Sequence, residues 1–318
     1  MRARTRRLAV LLLPAALAAT LASASWAAPG DPVPVKDEAG VTEGTPTSHG
    51  AWLGWTQSAR RDAAHRDLYV ERGSGAPVKV NAARTQGLGG GIVGHHVYYA
   101  QQFRDRHPRI VRFDLRTGHR SALPEVNRRR HSIVRGDVTA SGPWLLYSGI
   151  VDDPDRDVYS YTVMLDNRRT HRVRTVAAYD GDAYGTWAGQ VNGRYATYFW
   201  AGRYGGGGVL RYDIGTGRTV TLRNDAGGPY DPAVSSDGTV YYFLIPDDAP
   251  SGSHVYELVR QRARGAAHVV TTLTTDDAAD GPGETYVRDR ADGTHVVLFG
   301  WKGGVYKVVD QPPTAGTP

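Results

Sequence analysis

Apolar and polar residues alternate in short runs along most of the chain. No stretch beyond residue 27 sustains the 3.6-residue apolar spacing of a helix. One unit recurs six times: a polar turn ending in glycine, followed at once by an alternating strand. The glycines are Gly50, Gly94, Gly142, Gly193, Gly238 and Gly293, spaced by 44, 48, 51, 45 and 55 residues. Asn192-Gly193, Asp237-Gly238 and Asp292-Gly293 carry the residues that take the positive φ of a tight hairpin at little cost. Five residues after each glycine stand Trp55, Tyr99, Tyr147, Tyr198, Phe243 and Leu298, and three after it Leu53, Val97, Leu145, Ala196, Tyr241 and Val296. Alternate strand positions face one way, so these columns predict one buried face in every copy, with the large rings filling the space between neighbouring sheets.

Each copy continues into a third strand, such as Ile110 to Asp114, Val209 to Asp213 or His254 to Leu258. In five copies a fourth follows, such as His171 to Val176 or Thr219 to Leu222. Four short antiparallel strands repeated radially make a propeller blade. The predicted fold is therefore all-β: a six-bladed β-propeller of four-stranded antiparallel blades over residues 42–310. Its repeats lie near 42–82, 83–126, 132–178, 180–224, 228–274 and 282–310. The sixth copy ends one strand short, and residues 311–318 form a proline-rich tail, read as disordered. The segment 28–41 contains spare extended chain. Val33 to Lys36 is predicted to pair with Val305 to Val309 as the outermost strand of the last blade, closing the ring. Pro32 and Pro34 suit such an edge position.

The fifth copy carries a resemblance. Pro232-Ala233-Val234-Ser235-Ser236-Asp237-Gly238, followed by His254-Val255-Tyr256, resembles the repeat of TolB-like six-bladed propellers. In that family a proline-led strand ends in Ser-Pro-Asp-Gly, and a later strand reads roughly Asp-Ile-Tyr. Here Ser236 replaces the proline. The resemblance is clearest in residues 230–258, covers 42–310 as architecture, and implies the fold alone.

The chain opens with Arg2, Arg4, Arg6 and Arg7, an apolar run from Leu8 to Leu21, and small residues at Ala22, Ala24, Ser25 and Ala27. This order reads as a cleavable secretory signal peptide, residues 1–27. The run is shorter than the roughly 20 residues needed to span a bilayer, so no transmembrane segment is expected and the localisation expected is secreted, from a bacterial source. There are no cysteines, which excludes disulfides, thiolate metal sites and cysteine nucleophiles. Of the formal net charge of +6, four positive charges are the arginines of the signal peptide, leaving +2 beyond residue 27. That balance gives no reason to expect nucleic acid as a partner. A monomer is expected, and no cofactor is implied.

Candidate chemistry is sparse. The long loops between second and third strands, with the blade-to-blade loops, fall on one face and are the default place for binding. Five acids open the innermost strands and could point into the channel: Glu43, Asp137, Asp182, Asp231 and Glu284. Asp153, Asp155 and Asp157 alternate like the oxygens of a calcium loop but lack its glycine and distal glutamate. His95 and His96, at a strand start, are expected to point to opposite faces and share no metal. There is no Gly-x-Ser-x-Gly and no phosphate loop. The reading is a non-enzymatic binding or scaffold protein for a protein, peptide or glycan. The alternative is a carbohydrate-active enzyme, glycosidase or polysaccharide lyase, using paired carboxylates at the channel mouth.

Overall fold

The computed structural model describes residues 30–59, 65–103, 106–127, 132–153, 158–179, 183–202, 206–225, 228–246, 248–250 and 254–311. The expected signal peptide and residues 312–318 of the expected tail lie outside them.

Six four-stranded antiparallel sheets form the fold. From the axis outward, blade 1 is Val41–His49, Trp52–Ala59, Asp67–Arg72 and Val78–Lys79. Blade 2 is Gln86–Val93, His96–Phe103, Arg106–Asp114 and Arg120–Ala122. Blade 3 is Ser132–Ser141, Trp144–Asp153, Val158–Asn167 and Arg172–Tyr179. Blade 4 is Ala183–Asn192, Tyr195–Gly202, Gly207–Asp213 and Arg218–Asp225. Blade 5 is Tyr230–Val234, Val240–Leu244, His254–Gln261 and His268–Thr275. Blade 6 is Gly283–Asp289, His295–Trp301, Gly304–Asp310 and, outermost, Val33–Lys36. Each innermost strand touches the next, and that of blade 6 touches that of blade 1, so the ring is closed.

The two apolar columns are buried as expected, Leu53 only partly. The residues between them are buried too: Leu146, Tyr242 and Val297 have no exposed surface. Each second strand is sandwiched between neighbouring blades, so both of its faces are core, not one. In blade 2, Val97 and Tyr99 pack with Leu68 and Val70 of blade 1, while Tyr98 and Ala100 pack with Val138, Leu145 and Tyr147 of blade 3. Alternation thus directs successive side chains into opposite seams. Full burial of such a side chain contributes about 1.5–3 kcal/mol.

Among the described residues, the seam between blades 6 and 1 is the leanest. Its buried apolar residues there are Tyr286, Val296 and Leu298, with Val35, Leu53 and Val309 partly buried against them. Polar bridges add to it. The Tyr286 hydroxyl donates to Ser48 O at 2.7 Å, and Glu43 N–H donates to Gly303 O at 2.7 Å.

The closing strand sits where the missing fourth strand predicts. Val33 pairs with Lys307, Pro34 with Tyr306 and Lys36 with Val305, antiparallel and with one irregularity between Pro34 and Lys36. Lys36 then reaches across to blade 1. Its Nζ lies 2.6 Å from Glu71 Oε2 and 4.6 Å from the centre of the Trp55 ring. Closure covers an edge that would otherwise expose unpaired backbone groups.

Candidate functional site

All six innermost strands break register at one level, between Gly44 and Thr47, Leu88 and Gly91, Gly136 and Thr139, Ala188 and Val191, Tyr230 and Ala233, and Gly283 and Tyr286. A β-bulge bends its strand and re-aims side chains. In five blades the first bulged residue has positive φ: Thr45 (46°), Gly89 (58°), Asp137 (49°), Asp231 (48°) and Glu284 (50°). Only Gly89 adopts this conformation freely. The other four hold strain of about 1 kcal/mol or more each, most at β-branched Thr45.

The bulges line one cavity of about 70 Å³ on the channel axis, with Thr45, Asp137, Asp231 and Glu284 in its wall beside Trp187, Phe199 and Tyr286. The acids satisfy donors that the bulges leave without ladder partners. Glu284 N–H donates to Asp231 Oδ2 at 2.8 Å. Thr45 donates to Glu284 Oε2 twice, through its N–H at 2.6 Å and its hydroxyl at 2.7 Å. Blades 5, 6 and 1 are thereby linked carboxylate to backbone. On the other side, the Ser148 hydroxyl donates to Asp137 Oδ2 at 2.9 Å and accepts Ala188 N–H at 2.8 Å, joining blades 3 and 4.

Burial pushes the Asp231 carboxyl up to about 7, against the bond from Glu284 N–H and with help from the charges of Glu284 and Asp137. The site therefore sets a carboxyl that titrates near neutrality among further acids. Arg66, on the loop entering the third strand of blade 1, brings Nη1 to 3.5 Å from Glu284 Oε1, a half-exposed pair.

Beyond the bulges the channel is crossed by Gln190. Its Nε2 donates to Val287 O at 2.8 Å, and its Oε1 accepts Val287 N–H at 2.8 Å and Val234 N–H at 3.3 Å. One buried amide thus joins blades 4, 5 and 6. The 70 Å³ space is far below the roughly 300–1,000 Å³ of small-molecule sites. Two larger clefts border it, one sharing Glu284 and the other Tyr286. One, of about 330 Å³, lies at the seam of blades 6 and 1 and contains Glu43, Arg66, Glu284 and Trp301. The other, of about 440 Å³, lies at the hairpin end of the channel with His49, Asn192, Tyr286, Arg288 and Asp289.

Of the five acids expected at the channel, Asp137, Asp231 and Glu284 share the bulge cavity. Glu43 lies in the adjoining cleft, almost wholly buried, with Oε2 3.4 Å from Glu38 N. Burial raises its carboxyl above the usual range, opposed by that backbone bond. Asp182 lies outside the described residues, as do Asp155 and Asp157. Asp153 ends the second strand of blade 3, and nothing is described of its side chain. Sequence reasoning missed Thr45, Ser148 and Gln190. A signal existed for the first: Thr45, Gly89 and Asp137 each stand five residues before a hairpin glycine.

His95 and His96 correct the expectation. Their rings lie 4.0 Å apart on the same side, and both Nε2 atoms approach Asp114 Oδ2. Gly94-His95 is the hairpin turn itself, so strand alternation begins only at His96.

No protein-family model and no curated protein sequence matches the chain. Solved structures do. TolB from Acinetobacter baumannii is 15% identical over 85% of this chain and 79% of that one, with a TM-score of 0.51. A putative TolB from Agrobacterium tumefaciens is 12% identical over 85% and 90%, at 0.52. A mutant sialidase of Trypanosoma rangeli displaying trans-sialidase activity is 10% identical over 89% and 59%, at 0.57. The chain thus resembles TolB-like six-bladed propellers at the level of the fold, and a fold by itself does not fix a function.

Proposed function

We propose that this protein is exported through its N-terminal signal peptide and works as a non-enzymatic binding module. It takes a cationic group of a protein or peptide partner at the long-loop mouth of the channel. The observation that supports this best is Glu284, which borders both the bulge cavity it shares with Asp137 and Asp231 and the cleft of about 330 Å³ at the seam of blades 6 and 1, where Glu43 and Trp301 stand with it. Acids near aromatic faces favour an ammonium or guanidinium. Arg66 already places such a group against Glu284, and a ligand's basic side chain would take that position.

One observation favours the alternative, a carbohydrate-active enzyme. Asp231 and Glu284 are neighbouring carboxyls, and burial raises Asp231 to about 7, the range of a general acid. Against it, both acids accept bulge N–H groups, and the space between them holds only a few water molecules. Two screens of the chain from residue 28 separate the readings: selection from a random peptide library, and incubation with a panel of polysaccharides. Enrichment of Lys- or Arg-bearing peptides supports the binding module. Reproducible polysaccharide turnover, lost in Asp231→Asn, establishes the enzyme.

A further inference from the structure

We propose that His95, His96 and Asp114 form a binding site for a divalent transition-metal ion on the short-turn face of blade 2, away from the channel acids. Each residue offers one ligand atom, and these atoms all lie within 4.8 Å of one another. His95 Nε2 and His96 Nε2 stand 3.8 and 3.6 Å from the same oxygen, Asp114 Oδ2. Those separations are long for hydrogen bonds. They are close to the edge of a tetrahedron of ligands at 2.0–2.2 Å from one ion, which is about 3.3–3.6 Å.

The backbone sets this arrangement in place. His96 is the register partner of Asp114, and Leu115 N–H donates to His95 O at 2.8 Å. Asp114 Oδ1 accepts the N–H groups of Arg116 at 2.8 Å and Thr117 at 3.2 Å, which fixes the carboxylate and turns Oδ2 toward the imidazoles. The tight turn at Gly94, with φ of 60°, brings His95 over the same spot.

Two imidazoles and one carboxylate suit zinc, cobalt, nickel or copper, and not calcium or magnesium, which take oxygen ligands. The three side chains are partly exposed, so the remaining positions go to water. Arg112 and Arg168 oppose a cation here, which sets the expected affinity in the micromolar range and not the nanomolar range of closed zinc sites.

The test is calorimetric titration of the chelator-treated protein with Zn²⁺ alone, with Co²⁺ visible absorption as a second readout. One ion per chain is expected, with micromolar affinity. His95→Ala, His96→Ala and Asp114→Asn should each weaken binding at least tenfold. His119→Ala should leave it unchanged. Asp114→Asn keeps an oxygen for the two turn N–H groups, so it should retain the wild-type circular dichroism and still report on the metal. Absence of saturable one-to-one binding, or equal affinity in all four variants, would overturn the proposal.

Discussion

Lys36 is the point at which the closing strand grips the first blade, and its contribution can be worked out. Its ammonium lies 2.6 Å from Glu71 Oε2, and the two side chains are only 23% and 12% exposed. A hydrogen bond between charged groups in such a setting contributes about 1.5–3 kcal/mol. The contact with the Trp55 ring, at 4.6 Å, adds about 0.5–1 kcal/mol. Releasing the long side chain on truncation returns up to about 1.5–2 kcal/mol of rotamer entropy. The net loss for Lys36→Ala is therefore roughly 1 kcal/mol, or about 2 °C in melting temperature for a chain of this size. Lys36→Met keeps the apolar stem over Trp55 and isolates the charge. The assay is a double-mutant cycle by thermal and urea unfolding, with Lys36→Met, Glu71→Gln and both together. A coupling energy near 1.5 kcal/mol, reduced only slightly at high salt, is expected. Coupling below about 0.5 kcal/mol would show that the seam closes without this pair.

Three further outcomes are expected. Removing residues 28–37 strips the outermost strand from blade 6, and the shortened chain should melt clearly lower than the chain from residue 28; equal melting would refute closure. Asp231, whose carboxyl is raised by burial to about 7, gives stability that is fully present below the ordinary aspartate range near 4 and lost as pH rises to 7. Asp231→Asn should therefore match the wild type near pH 4 and exceed it by about 4 kcal/mol at pH 8, read as urea midpoints across pH. Gln190→Leu leaves Val287 N–H, Val287 O and Val234 N–H without their partner, which should cost about 2–4 kcal/mol in unfolding measurements.

The propeller was legible in the sequence because a period of two, repeated six times, places Trp55, Tyr99, Tyr147 and Phe243 in equivalent core positions. The closing strand was legible because the sixth copy ended one strand short and Val33 to Lys36 was spare. What lay hidden depends on contacts between blades. Nothing near Gln190 in the chain announces that its amide will meet Val287, 97 residues away. Asp231 and Glu284 could be named as strand-opening acids, but their bonding to the next bulge follows only from ring geometry. His95 and His96 were misread because alternation was counted through a turn, where it does not hold.

If the acid-lined mouth binds a basic group and does no chemistry on it, calorimetric titration of a library-selected peptide into the wild type and into Asp137→Asn/Glu284→Gln, with Arg66→Ala in parallel, will show it. The selected peptide should carry Lys or Arg, the double variant should weaken its binding at least tenfold, and Arg66→Ala should strengthen it by freeing Glu284. Equal affinity in all three proteins, or a selected peptide without a basic residue, would contradict it.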